Sequence, residues 1–411
     1  MLFAQLLRRV VRLGELKVID ADGRLHRFIG NEPGPTITLR LHDRKLHTEL
    51  FIDPMLRVPE AIVDGRLTVE DGKTCYDFME YAAMNLGWSA PLNWVPRLLN
   101  ACRRIGRKLA QYNPAPRSKR NVAHHYDLSG ELYELFLDAD RQYSCAYFAS
   151  PEDSLETAQA RKKHHIAAKL LLQPGQKVLD IGSGWGGLGL YLAERSQVDV
   201  TGVTLSEEQH KLSNERALNA GLNDRVRFEL RDYRHVDGKF DRIVSVGMFE
   251  HVGVNHYGEF FDKCRTLLKD DGVALLHTIG RADGPGFTNP WIDKYIFPGG
   301  YCPALSEVAP MIEKAGLYIT DVEVLRLHYA ETLRHWRMRF LRNVERARAL
   351  YDDRFCRMWE LYLAASETAF RFSGQVVFQI QLARNQDAVP ITRDYISHYE
   401  NDRSNSLAAA E

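Results

Sequence analysis

One pattern limits the fold more than any other: from about residue 165 an apolar strand, a turn and a helix recur. The strands are Lys177–Ile181, Val198–Val203, Val226–Leu230, Arg242–Val246 and Val273–Thr278. Parallel neighbours need crossovers of a dozen or more residues, which helices fill, so this repetition predicts a parallel sheet covered on both faces. Two more strand candidates, Tyr318–Leu325 and Gln375–Leu382, flank a helical stretch from Thr332 to Phe370 that reads as an insertion before the last strand. The chain's 411 residues exceed one core and suit two domains. Residues 1 to about 80 show short strand-like pieces at Leu16–Ile19, Thr36–Leu41 and Ile62–Val63, with turn signals at Asp22-Gly23 and Asp64-Gly65. A smaller α+β domain is expected over 1–115, closed by the proline-containing stretch Asn113–Ser118, with a second domain over 116–411.

The first βα unit of the repeat carries chemistry. Val178-Leu179-Asp180-Ile181 runs into Gly182-Ser183-Gly184-Trp185-Gly186-Gly187 and then the helix Leu188–Arg195. Glycines there let the backbone turn tightly and admit a nucleotide-like ligand. A dinucleotide site places an acidic residue at the end of the second strand, but that strand ends in Val203-Thr204-Leu205-Ser206, with no carboxylate before Glu207. Asp180, the run from Val203 to Gln209, and Asp232-Tyr233 after the third strand together resemble an S-adenosylmethionine-dependent methyltransferase of the Rossmann-like class I type.

Four further segments sharpen the resemblance. They are His125–Ser129 with Tyr143–Phe148; Gly247–Gly253; Leu276–Ile279; and Ile296–Gly300 with His328–Trp336, in family order from about 120 to 380. The chain resembles the cyclopropane-fatty-acyl-phospholipid synthase family. The resemblance implies that the double bond of an unsaturated acyl chain attacks the sulfonium methyl, and that proton loss from the resulting carbocation closes a three-membered ring. It also implies a bound bicarbonate as base, caged by Cys145 and Ile279 through backbone donors, by Glu250 and His277 through side chains, and by the Tyr329 phenol. A carboxyl beside an anion must keep its proton, so a raised pKa is expected at Glu250. Taken singly, each has an ordinary alternative: a small buried thiol, a strand histidine bonded to backbone, a first-turn carboxylate. Cofactor contacts implied by the family fall on Tyr143, Ser144, Asp180, Gly182, Gly184, Trp185, Gly186, Thr204, Leu205, Gln209, Asp232 and Tyr233. Aromatic rings able to face a cation are Tyr143, Tyr147, Phe148, Phe249, Tyr295, Phe297, Tyr329 and Trp336, each of which would serve equally as core packing. Ser366 stands where many family members carry a cysteine, which removes any covalent role for that thiol.

Charge bears on partners. Lys plus Arg and Asp plus Glu both number 54, which gives no overall field for nucleic acid. From Tyr81 to Tyr126, however, there are eight Lys or Arg and no acid. On a helical wheel Val95, Leu98, Leu99, Cys102, Ile105 and Leu109 share one face and Arg97, Arg103, Arg104, Arg107 and Lys108 the other; Leu2, Phe3, Leu6, Leu7 and Val10 oppose Arg8, Arg9 and Arg12 likewise. Such helices lie on anionic lipid or pack on their own domain. The expectation is a cytoplasmic enzyme peripheral to the inner membrane face, acting on unsaturated phospholipid, with a homodimer allowed. Neither an export signal nor a spanning segment is read, and six scattered cysteines offer neither a zinc spacing nor a disulfide framework. Three alternatives stand beside this: a methyl- or methylene-branched product from the same fold and cofactor, a non-catalytic lipid-binding protein, and a soluble N- or O-methyltransferase.

Overall fold

The computed structural model describes residues 2–87, 94–111 and 129–402. The Asn113–Ser118 stretch and the His125–Leu128 part of the first motif lie outside them. The chain divides into two compact units. One joins 1–110, 286–298 and 333–375; the other joins 111–285, 299–332 and 376–411. A boundary near 115 is therefore only part of the division: two segments expected in the second domain belong to the first unit.

In the first unit, β1 (Leu13–Ile19), β2 (Leu25–Ile29), β3 (Glu32–Leu41) and β4 (Leu67–Val69) form a sheet in the order β2-β1-β3-β4. The Ile62–Val63 piece, expected as strand, instead ends the helix Pro54–Val63, which begins with a proline in its first turn. Asn85 ties the helix Cys75–Leu86 to the entry of β1: its Oδ1 accepts from the amides of Arg12 (2.7 Å) and Leu13 (2.8 Å), and its Nδ2 donates to the Tyr81 carbonyl. The long helix Asp353–Phe372 packs on these helices. Arg354 reaches Asp64 (2.9 Å) and Arg357 donates to the Val63 carbonyl, while from the preceding helix His328–Arg342 Arg337 lies 4.1 Å over the Tyr76 ring. These contacts explain why the insertion groups with the N-terminal segments.

The two basic amphipathic helices of this unit differ. Leu2–Val10 buries Leu6 and Leu7, as a packed surface helix does. Trp94–Ala110 does the opposite: Leu98 (58% exposed), Cys102 and Ile105 (83% exposed) face outward. Its basic side holds the helix down, through Arg103 paired with Asp53 and Arg107 donating to the Gly286 carbonyl.

The second unit holds β5 (Lys177–Ile181), β6 (Asp199–Thr204), β7 (Val226–Leu230), β8 (Phe240–Val246), β9 (Leu268–Arg281), β10 (Tyr318–Val324) and β11 (Gln375–Ala383), ordered β10-β11-β9-β8-β5-β6-β7. The pairs β9/β8, β8/β5, β5/β6 and β6/β7 are parallel, and β10/β11 is antiparallel. The sheet is covered on both faces. Leu179, Ile181, Ile243 and Leu276 enter one core with Phe260 and Phe261, whereas their neighbours Val178, Val244 and Leu275 enter another with Leu170, Leu192 and Phe228. Continuous apolar strands are what such double burial requires. The strand order turns back between β5 and β8, and in open α/β sheets the ligand crevice lies beyond the strand ends at that point.

Gly202 in β6 shows how tightly this sheet is closed. A Cβ there would lie 2.4 Å from the Phe228 ring and 2.8 Å from Ser183. Gly202→Ala should lower the thermal midpoint, at a cost of about 1–3 kcal/mol from overpacking; an unchanged midpoint in a melting experiment would show that the ring moves aside freely.

Candidate active site

Past β5 the backbone takes left-handed φ at Gly182 (84°), Gly184 (53°) and Gly186 (84°), which side chains resist. A Cβ on Gly182 would come within 2.7 Å of Met248, and one on Gly187 within 2.5 Å of the Asp140 carboxylate. Asp140 is gripped by Lys163 and Arg216, and Arg216 also donates to the Trp185 carbonyl at 2.8 Å. The loop is thus clamped from outside as well as shaped by its glycines.

A cleft opens here, beyond β5, β6 and β8. Of the residues expected to hold cofactor, Tyr143, Ser144, Asp180, Gly182, Gly184, Trp185, Thr204, Leu205, Gln209, Asp232 and Tyr233 line it. Gly186 does not; it packs behind, against Phe228 and Ser213. Thr204 donates to Gln209 Oε1 at 2.9 Å, and Ser206 caps the helix Glu207–Asn219, fixing the second strand's exit without a carboxylate. Burial pushes the Asp180 carboxyl up to about 7, and its Oδ2 is buried with no hydrogen-bond partner among the described residues. That orphaned acceptor suits a ligand carrying donors and positive charge. Asp232 differs: burial opposes its charge, but the Arg234 guanidinium at 2.6 Å holds its carboxyl below the usual range.

The residues expected to carry the chemistry lie in the same unit, in two groups. Gly247, at the end of β8, donates to the His277 carbonyl at 2.9 Å, and Glu250 follows in the next turn. Glu250 Oε1 accepts from the Ile279 amide at 2.6 Å; Oε2, near the Thr278 hydroxyl, is buried without a hydrogen bond of good geometry. Burial raises this carboxyl to about 7, the direction expected from the sequence. The Ile279 amide is therefore engaged by Glu250 rather than open to an anion, and Ile279 acts by holding that carboxyl. His277 is buried, and burial, reinforced by the Lys162 charge, keeps its imidazole neutral, well below its usual pKa. The second group is tied to the first turn of the helix His328–Arg342, which bears Tyr329. Thr332 accepts from the Ala146 amide (3.0 Å) and His328 Nδ1 from the Phe148 amide (3.0 Å). Cys145 is buried, and burial raises its thiol far above the usual range, so it is no thiolate nucleophile. A Cβ on Gly247 would lie 3.8 Å from Ser144, which brings the segment Tyr143–Cys145 alongside the turn leading to Glu250.

Compared with known proteins, residues 114–380 match the family model for mycolic acid cyclopropane synthetase. The chain belongs to that family. It is 35% identical to a probable fatty acid methyltransferase of Pseudomonas putida, over 84% of this chain and 88% of that one. It is 44% identical to the cyclopropane-fatty-acyl-phospholipid synthase of Escherichia coli K12, over 63% of this chain and 66% of that one. The crystal structure of the mycolic acid cyclopropane synthase CmaA1 with SAH and CTAB is 34% identical, covers 66% of this chain and 99% of its own, and superposes with a TM-score of 0.61. This family member is an S-adenosylmethionine-dependent methyltransferase of the class I fold.

Several site residues escaped the sequence. Arg141, Gln142, Met248 and His251 line the cleft, and burial drives the His251 imidazole down to about 4. Lys162, on the helix Leu155–Leu170, is buried beneath the cleft, where its Nζ donates to Ser144 Oγ (2.8 Å) and Gln142 Oε1 (2.5 Å). Burial lowers its pKa to about 8. The available signal was a polar stripe at helical spacing, Gln159, Lys162, His165 and Lys169, all buried. Among the aromatics, Phe249 is core, stacked on Tyr257, and Tyr147 is stacked between His165 and His328. In the first unit, Tyr295 donates to Glu60 and Phe297 meets the Tyr362 ring edge-on.

The raised carboxyl at Glu250 has a stability signature. The folded protein keeps this proton up to about pH 7, whereas the unfolded chain releases it near 4.5. Folding thus binds a proton in that window, and stability falls as pH rises through it. Glu250→Gln lacks this loss, so its thermal midpoint should gain on the wild type from pH 4.5 to 7 and run parallel above; parallel curves throughout would mean an unshifted carboxyl.

Proposed function

We propose that this family member transfers the methyl carbon of S-adenosylmethionine to the double bond of an unsaturated acyl chain in a membrane phospholipid and closes a cyclopropane ring. The observation that carries it is Glu250: a buried carboxyl that keeps its proton, one oxygen fixed by Ile279, the other without a good protein partner, at the strand end that also borders the cofactor cleft. A protonated acid there donates a hydrogen bond to an anion, which is what a bicarbonate base needs from its cage. When bound, the cofactor supplies an electrophilic methyl and bicarbonate an acceptor for the proton.

The electron balance sets the demands on the protein. The alkene π pair forms the new carbon–carbon bond as the carbon–sulfur pair leaves with sulfur; loss of a proton from the added methyl then gives the pair that closes the ring. The carbocation between these events must meet no water. Protonated Glu250 and the unionised Cys145 thiol provide polar contacts without an anionic side-chain nucleophile that would itself be methylated, and the neutral His277 imidazole and the Tyr329 phenol complete the cage. Bilayer contact is assigned to the helix Trp94–Ala110. Its outward ridge of Leu98, Cys102 and Ile105, with Arg97 and Arg104 also exposed, suits the boundary between acyl chains and anionic head groups on the cytoplasmic face. Among the described residues no helix is long and apolar enough to cross a membrane.

The resemblance to a fatty acid methyltransferase supports a second reading, a methyl-branched acyl product, which requires only that the proton leave a different carbon. Incubation with S-adenosylmethionine, bicarbonate and unsaturated liposomes, followed by mass spectrometry with ozonolysis, separates the two: the proposal expects one added CH₂ and no cleavable double bond, while a retained double bond selects the branched product. Glu250→Gln and Tyr329→Phe should lower kcat by about 10²-fold or more, the scale of a lost acid–base contribution, with cofactor affinity little changed. Activity equal to wild type would remove the cage from the mechanism. Leu98→Asp with Ile105→Asp should abolish sedimentation with anionic vesicles, and wild-type binding should weaken with salt; salt-independent binding to neutral vesicles would refute the electrostatic part.

A further inference from the structure

A chain of buried hydrogen bonds leads away from His277, and the chemistry of its members allows each link one direction only. Lys169 is fully buried, with its ammonium against the carboxylates of Glu323 and Asp321. It also contacts Gln379 Oε1 at 2.8 Å. An ammonium donates and cannot accept, so the Gln379 amide must present its oxygen to Lys169. The amide nitrogen is then turned to His277 Nδ1, at 3.1 Å. An amide nitrogen donates and cannot accept, so Nδ1 must hold a lone pair. In a neutral imidazole the hydrogen is left on Nε2.

We propose that Lys169 and Gln379 are positioning residues that fix His277 as its Nε2–H tautomer, so that the ring offers a hydrogen-bond donor at Nε2 rather than a lone pair. The arrangement is anchored further out. Glu323 accepts from His165 Nε2 at 2.7 Å, and His165 Nδ1 lies 2.7 Å from Glu400 on the helix Asp394–Asn401. Set between two carboxylates, His165 donates from both nitrogens, which leaves Glu323 free only to accept and Lys169 only to donate. An Nε2 donor requires an acceptor opposite it. That this acceptor is a bicarbonate oxygen rests on the function proposed above; the tautomer does not.

The test separates the two. In ¹⁵N-histidine-labelled full-length protein, with and without bicarbonate, long-range ¹H–¹⁵N spectra should show His277 protonated at Nε2 and bare at Nδ1, the signal being assigned by its loss in His277→Gln. Gln379→Glu keeps the shape but replaces the donor by an acceptor, so Nδ1 should take a proton, and kcat should fall at least about tenfold, the lower end for a residue that orients another, with cofactor affinity unchanged. Gln379→Met, which neither donates nor accepts strongly, should give a mixture of tautomers and an intermediate kcat, and covers the case that the charged variant does not fold. A wild-type ring protonated at Nδ1, or the same ring state in wild type and in either folded variant, overturns the proposal. If the tautomer is as expected but turnover does not depend on bicarbonate, the proposal stands and the anion in the proposed function is wrong.

Discussion

Two lysines on one buried helix make the demand that organises the catalytic unit. A buried ammonium costs several kcal/mol unless hydrogen bonds and opposite charge replace its water. Lys162 and Lys169 sit seven residues apart on Leu155–Leu170, both fully covered. Every partner they recruit comes from elsewhere in the chain: Gln142 and Ser144 from the segment over the cleft, Glu323 from β10, Gln379 from β11. Satisfying two cations therefore draws together the cofactor-facing segment, the last two strands and the imidazole of His277.

The same helix also reaches the glycine turn. The glycine turn after β5 buries Trp185 against the Tyr133 ring, and it is held as well through the Trp185 carbonyl by Arg216, which shares Asp140 with Lys163. Lys163 is the neighbour of Lys162 in sequence, so one helix holds both the segment Gln142–Ser144 and, through Asp140 and Arg216, the glycine turn. Strand-end groups braced from a packed helix are held in one geometry, which is what orienting a methyl donor toward its acceptor requires.

The parallel sheet was readable because double burial forces unbroken apolar runs, and Lys177–Ile181 and Val226–Leu230 match the observed strands in full. The cleft residues were readable because glycine and the strand-end polar groups have few other reasons to occur together. Lys162, Lys169 and Gln379 were not. In sequence, a lysine and a histidine spaced three or four apart on a helix look the same whether the stripe faces water or is buried, and only the tertiary partners distinguish them. Ile62–Val63 was misread for the complementary reason: two β-branched residues before Asp-Gly resemble a strand end, but the preceding Pro54 had already started a helix. The role of the stretch 333–375 was hidden because its apolar face matches segments several hundred residues earlier, a pairing that no local pattern reports.

That pairing has a consequence for synthesis. The β1–β4 sheet and its helices leave the ribosome before the βα repeat, but the helix that covers Pro54–Val63 and Cys75–Leu86 is Asp353–Phe372, made almost three hundred residues later. Until then the nascent chain carries an incomplete core, whose apolar helix faces are open to solvent while the whole βα repeat is being made. The N-terminal unit, first in sequence, is thus among the last to be finished, and the interval is when this chain most needs protection from aggregation.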